Sequence, residues 1–289
     1  MHEFDWLEPA TLADASALLA RHGDDARLIA GGTALVLALR QRMLAPTHMV
    51  SLAAIPALRG IAVEPDGTLV IGALTRHAEI AASPLVRAGW PVVARMAGVL
   101  ANPQVRNQGT IGGNLCYGDP TTDPPACLLA HEARVVLSRG GTPREIALDD
   151  FLVDYFETAL APDEVLVSLR LPATGRHGGG HLRHRRTAAE HRPMLNLCVS
   201  ADHDGRECRA IRIALGATVA VARRVPAAEA LLEGRSATPA LVAEAAEIVA
   251  GAFDMLDDLR GSAAYRQQVT RVMARRHLSA IFGLEGGAA

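Results

Sequence analysis

The chain has 289 residues, 49% of them hydrophobic and 21% charged, with a formal net charge of −2. This is an ordinary globular composition, long enough for two compact domains. The near-neutral charge and an aromatic content of 3% exclude an electrostatic or stacking platform for nucleic acid. All 29 basic residues are Arg, which excludes a Walker A lysine, a Schiff-base lysine and a pyridoxal-phosphate anchor.

Residues 1–6 show neither a basic n-region nor an apolar h-region, and no apolar run reaches membrane-spanning length. The expectation is a cytoplasmic protein without a signal peptide or a membrane span. Cys116, Cys127, Cys198 and Cys208 lack the close spacing of a zinc or iron–sulfur site and read as buried free thiols. Cys116 stands apart because it lies within a glycine-rich stretch.

In chain order, residues 4–9 read as a short strand and turn. Thr11 and Asp14 have capping-box spacing and open a helix ended by Gly23. A strand over 27–30 delivers Gly31-Gly32, and a helix over 33–42 and a strand over 49–52 follow. This β-α-β start lacks G-x-G-x-x-G and a ribose-binding acid, so a Rossmann fold is not expected. Residues 61–63 and 69–71 flank Asp66-Gly67 as a hairpin. Helices are expected over 78–82 and 85–101, interrupted at Trp90-Pro91, with Asn102-Pro103 as a breaker. The glycine stretch that follows reads as loop. Asp123-Pro124 reads as an N-cap with proline at the first helical position, opening a helix to His131. Strands are expected over 135–137, 146–148 and 164–171.

Residues 172–180 are turn-rich and form the best domain boundary. Residues 181–192 are crowded with His and Arg. The arginines repel a cation, so this reads as a basic segment, solvated or facing a phosphate. Strands over 195–201 and 211–215 precede helices over 227–232, 239–250 and 262–282. The last is expected to turn Tyr265, Val269, Val272 and Met273 to one face and its arginines to the other. No internal repeat is visible. The fold class expected is α+β, with a domain over 1–172 (subdomains about 1–56 and 57–172) and another over 181–289.

Two stretches carry the chemistry. Ala30-Gly31-Gly32-Thr33-Ala34-Leu35 follows an apolar strand and precedes a helix, where a phosphate is favoured. Gln104 to Asn114 ends in Thr110-Ile111-Gly112-Gly113-Asn114. Tandem glycines leave amides uncovered for an anion. Taken singly, each is a tight turn. Together they resemble the FAD-binding medium subunit of the molybdenum hydroxylases, the family of xanthine and carbon monoxide dehydrogenases. Asp119-Pro-x-x-Asp123, residues 155–160, residues 163–166 and residues 189–193 fall in the family's order.

The resemblance implies a two-subdomain FAD-binding fold of the vanillyl-alcohol oxidase type, followed by a small three-stranded sheet with helices. It implies non-covalent FAD, with Ala30 to Leu35 and Thr110, Ile111, Gly113 and Asn114 clamping the pyrophosphate. Asp123 matches an acid at the ribityl chain or ring edge, and Leu100 and Leu166 match apolar positions around the flavin and adenine. Where the family has an aromatic residue, one intervening residue and Lys, this chain has His181 and Arg183. Arg is a planar, permanently charged fork, so the residue covering the ring differs here. The implied partners are a large molybdopterin subunit and a small subunit with [2Fe–2S] clusters, in a dimer of heterotrimers. The chain would then be an electron-transfer flavoprotein subunit with no catalytic acid, base or nucleophile of its own. The competing readings are a self-sufficient flavin oxidase of the vanillyl-alcohol oxidase type and a flavin-free interaction protein.

Overall fold

The computed structural model describes residues 3–173, 175–176, 178–205 and 207–284. The expectations for residues 1, 2, 174, 177 and 285–289 lie outside them. Three parallel strands open the fold: Asp5–Leu7 and Ala26–Ile29 each pair with the central His48–Ser51. The helix Leu12–His22 starts as its sequence indicates. The Asp14 amide donates to Thr11 Oγ1 at 3.1 Å, and the Thr11 hydroxyl donates to Asp14 Oδ2 at 2.7 Å. Its Ala15 and Leu19 face the core. The second helix is shorter than expected, Leu35–Arg40.

The second sheet is antiparallel, in the order Ile61–Val63, Leu69–Gly72, Glu164–Leu171, Arg134–Arg139 and Thr142–Ala147. Between its second and third strands in sequence run the helices His77–Ala82, Pro84–Gly89, Pro91–Val99, Pro103–Gln108, Ile111–Tyr117 and Pro124–Ala130. Four of them begin with proline. Proline lacks only an amide that a first-turn residue leaves unused, and it bends the preceding residue out of the helix.

Two expectations fail here. The glycine stretch is not loop: Asn102 caps Pro103–Gln108 and Thr110 caps Ile111–Tyr117. Asp123 is not a capping side chain. Its backbone is helical and its carboxylate makes no cap bond.

The C-terminal sheet has three long antiparallel strands, Gly178–His184, Leu195–His203 and Glu207–Gly216, with Arg223–Arg224 and Arg235–Ser236 as short edge pieces. Its first strand opens inside the glycine run expected to be a linker. At Gly180 a Cβ would stand 2.6 Å from the His277 ring, so glycine lets that helix residue pack on the strand. The helices Pro226–Leu232, Pro239–Gly251 and Ala263–Ile281 follow. The last buries Arg266, Thr270, Ala274 and Leu278, and leaves Tyr265 47% exposed, one position off the expected face. Arg266 is admitted because its guanidinium is satisfied by Met194 O at 2.9 Å, Ala217 O at 3.1 Å and Asp258 Oδ1 at 2.7 Å. One core joins both N-terminal sheets and reaches Cys198, Ala214 and Ala222. A second lies between the C-terminal sheet and its helices.

Candidate functional site

A cavity of about 720 Å³ lies between the 30–35 turn, the helix Ile111–Tyr117 and the start of Glu164–Leu171, within the range of ligand pockets. The strand Ala26–Ile29 carries the chain to its edge. A Cβ on Gly31 would meet Gln108 O at 2.2 Å, so here the two glycine-bearing stretches touch backbone to backbone. Gly32 has φ of +69°, a left-handed turn that costs a side chain roughly 1–2 kcal/mol. The turn leads straight into Leu35–Arg40, whose N-cap Ala34 offers no side-chain acceptor. Among the described residues, nothing accepts from the amides of Gly31, Gly32, Thr33, Ala34 and Leu35. Five successive orphan donors at a helix start form a cradle for an anion.

The second stretch works differently from the expectation. The Ile111 amide donates to Thr75 O at 3.0 Å, Gly112 to Ala73 O at 2.9 Å and Asn114 to Thr110 O at 3.0 Å. Gly113 donates to Thr110 Oγ1 at 3.2 Å. Its amides are therefore engaged, and what it offers a ligand is side chains: the Thr110 hydroxyl and the Asn114 amide. Thr122 Oγ1 donates to Asn114 Oδ1 at 3.2 Å, which turns the Asn114 NH2 into the available donor. Gly112 is a packing residue, since a Cβ there would stand 2.6 Å from Ala73 Cβ.

Asp123 sits on the cavity wall, 2% exposed. One carboxylate oxygen is 3.0 Å from His181 Nε2 and 3.2 Å from Arg183 Nε. Arg183 also donates to the carbonyls of Val99 and His191. The two departures noted in the sequence thus converge on one acid, and His181 is a buried partner rather than part of a solvated segment. Asp119 accepts from Thr121 Oγ1 at 2.6 Å and pairs with Arg192 at 2.8 Å, which brings Arg192 to the rim.

Of the residues expected at the site, Ala30, Gly31, Gly32, Thr33, Ala34 and Leu35 line the cavity. So do Leu100, Thr110, Gly113, Asn114, Asp123 and Leu166. Ile111 and Arg183 do not. Ile111 is 1% exposed and faces the core, as its apolar side chain dictates, and Arg183 lies behind Asp123. Sequence reasoning missed His77, a buried imidazole on the wall whose Nδ1 has no partner among the described residues. Burial lowers its pKa to about 4 against the pull of Asp123, so it is neutral near pH 7. No motif marks it; it arrives with the helix start at Arg76. Cys116 also lines the cavity, and burial pushes its thiol up to about 12, so it is protonated and inert.

The orphan amides, the close approach that only Gly31 permits and the mixed apolar and polar wall fit a dinucleotide-sized anionic ligand. Residues 2–174 match the family model described as the FAD binding domain in molybdopterin dehydrogenase, and residues 182–281 that of the CO dehydrogenase flavoprotein C-terminal domain. The carbon monoxide dehydrogenase medium chain of Hydrogenophaga pseudoflava is 34% identical over 277 residues, covering 96% of each chain. The 6-hydroxypseudooxynicotine dehydrogenase complex subunit alpha of Paenarthrobacter nicotinovorans is 34% identical over 96% of this chain and 93% of its own length. A solved carbon monoxide dehydrogenase from H. pseudoflava, lacking the Mo-pyranopterin moiety of its cofactor, superposes with a TM-score of 0.93 at 36% identity. The match covers 97% of this chain and 98% of that one. No helix among the described residues is long and apolar enough to cross a membrane.

Proposed function

The chain belongs to the FAD-binding medium subunits of the molybdenum hydroxylase family, and from that premise we propose that it relays electrons from [2Fe–2S] clusters of a small partner subunit to an external acceptor. It is an oxidoreductase subunit, with the molybdenum cofactor and iron–sulfur clusters carried by other subunits. Bound FAD supplies the redox centre at which electrons arriving singly are collected and handed on.

The chain's own residues hold and tune that centre. The amides of Gly31 to Leu35 would receive the pyrophosphate, with the Thr33 and Thr110 hydroxyls and the Asn114 NH2 beside them. Leu100 and Leu166 supply apolar wall. Asp123, held by His181 and Arg183, would meet the ribityl chain or ring edge. Arg183 therefore acts as a positioning residue rather than as a contact to FAD. Binding is non-covalent, and the functional unit is a dimer of heterotrimers in the cytoplasm. The domain that binds FAD ends near residue 172 and the C-terminal domain begins near 181.

The observation that carries this reading is the run of five amides without an acceptor beside a turn that only glycine allows. Support for the partners comes from relatives that are medium chains or complex subunits matched along nearly their whole length. Co-expression with the large and small subunits should give dye-linked dehydrogenase activity that the isolated chain lacks. Full substrate turnover by the chain alone would instead make it a self-sufficient flavin oxidase.

A further inference from the structure

We propose that Cys127, His131 and Cys198 form a structural site for a thiophilic divalent ion of the zinc class, one that staples the FAD-binding segment to the C-terminal sheet. One donor atom from each of the three residues lies within 4.8 Å of the other two, and all three residues are buried. Cys127 and His131 sit four residues apart at the end of the helix Pro124–Ala130, one turn above the other. Cys198 comes from the strand Leu195–His203 of the other sheet. No sequence spacing links them; only the packing of this helix against this strand brings them together.

The histidine is already set up as a ligand. Its Nδ1 is 2.8 Å from the Cys127 carbonyl oxygen. A carbonyl only accepts, so the proton is on Nδ1 and the lone pair on Nε2. A histidine held this way through its other nitrogen is the usual support of a metal-binding imidazole. Two thiolates bound at about 2.3 Å to a tetrahedral ion stand roughly 3.8 Å apart, so metal binding needs only a small contraction of the trio.

Charge balance favours zinc over a monovalent soft ion. The trio lies in the apolar core shared by the N-terminal sheets and Cys198, Ala214 and Ala222, where net charge is costly. Binding replaces two S–H bonds by two S–Zn bonds and releases two protons to solvent. Two thiolates, a dication and a neutral imidazole sum to zero charge. The fourth position falls to a donor other than these side chains.

The test uses the full chain with its FAD, expressed in zinc-supplemented medium and analysed for metal. The expected result is about one zinc per chain, falling below a tenth of that in Cys198→Ala and in His131→Gln while FAD content is kept. Cobalt exchanged into the wild type should give an intense thiolate-to-cobalt absorption that both variants lack. FAD content reports folding, and the cobalt spectrum of the wild type stands even if one variant fails to fold. A zinc-free wild type with all thiols free after unfolding would overturn the proposal. So would a Cys127–Cys198 disulfide found by mass spectrometry, or undiminished zinc in both variants.

Discussion

Gly31→Ala is the substitution that most sharply separates a cofactor cradle from an ordinary turn. Its Cβ would lie 2.2 Å from Gln108 O and 2.9 Å from Gly109 Cα. Both are backbone atoms, so no rotamer change relieves the overlap. The two stretches must part by roughly 1 Å before carbon and oxygen reach contact distance. That displacement carries the orphan amides beyond hydrogen-bond range of a phosphate, since such bonds occupy only about 2.7–3.2 Å. Losing two charge-assisted bonds at about 1.5–3 kcal/mol each amounts to about 3–6 kcal/mol, or about two to four decades of affinity. Gly113→Ala serves as the comparison. Gly113 is helical, and its Cβ would meet the Thr110 hydroxyl at 2.8 Å, which can rotate away at the expense of the cap. A helical Gly→Ala gain of about 1 kcal/mol offsets a lost cap of about 1 kcal/mol. FAD is titrated into both deflavinated variants while urea unfolding of the apo forms is followed in parallel. A Gly31→Ala protein with undiminished FAD affinity and a destabilised apo form would show that the close approach serves packing alone.

Further outcomes follow from the same geometry. Acid precipitation should release all the yellow chromophore, and it should be FAD; flavin in the pellet would contradict non-covalent binding, and FMN would contradict the pyrophosphate cradle. Asp123→Asn leaves the half-buried Arg183 without its anion and should cost about 1–3 kcal/mol in apo unfolding; a change under about 0.5 kcal/mol would show the pair to be energetically idle. His77 is protonated in the unfolded chain below about pH 6.5 but stays neutral in the fold down to about 4. Its stabilisation is therefore present above about pH 6.5 and is lost as pH falls toward 4, by about 3 kcal/mol in all. His77→Gln should flatten the unfolding free energy across that window, and an unchanged slope would assign it to other groups. Thr110→Val removes both a cap and a hydroxyl beside the cradle, and should lower stability by about 1 kcal/mol and weaken FAD binding as well.

Most strands were legible because apolar runs end in strong turn signals, such as Asp66-Gly67 between Ile61–Val63 and Leu69–Gly72; Gly178–His184 was not, because its glycines and basic residues carry no apolar alternation. The two glycine stretches that line the cavity were legible, but not the way each folds. Tandem glycines weaken a helix, so Thr110 to Tyr117 read as loop. The carbonyls of Ala73 and Thr75 override that propensity by binding the amides of Gly112 and Ile111, contacts from far upstream that no local pattern records. Asp123 had the sequence of an N-cap, yet its carboxylate is claimed by His181 and Arg183 across the cavity wall. Arg266 looks solvent-facing in any helical projection, and its burial depends on Asp258 and the carbonyls of Met194, Ala217 and Gly261. His77 and the Cys127–His131–Cys198 trio became visible only once the chain was folded, because each depends on elements distant in sequence.

The proposed relay draws its electrons from a partner's iron–sulfur clusters. The direct measurement is anaerobic mixing of the FAD-loaded chain with the chemically reduced small subunit, followed at the flavin absorption bands. The flavin should bleach as the clusters reoxidise, and Gly31→Ala, depleted of FAD, should leave the clusters reduced. A wild-type flavin that stays oxidised, with complex formation verified by gel filtration, would contradict the relay.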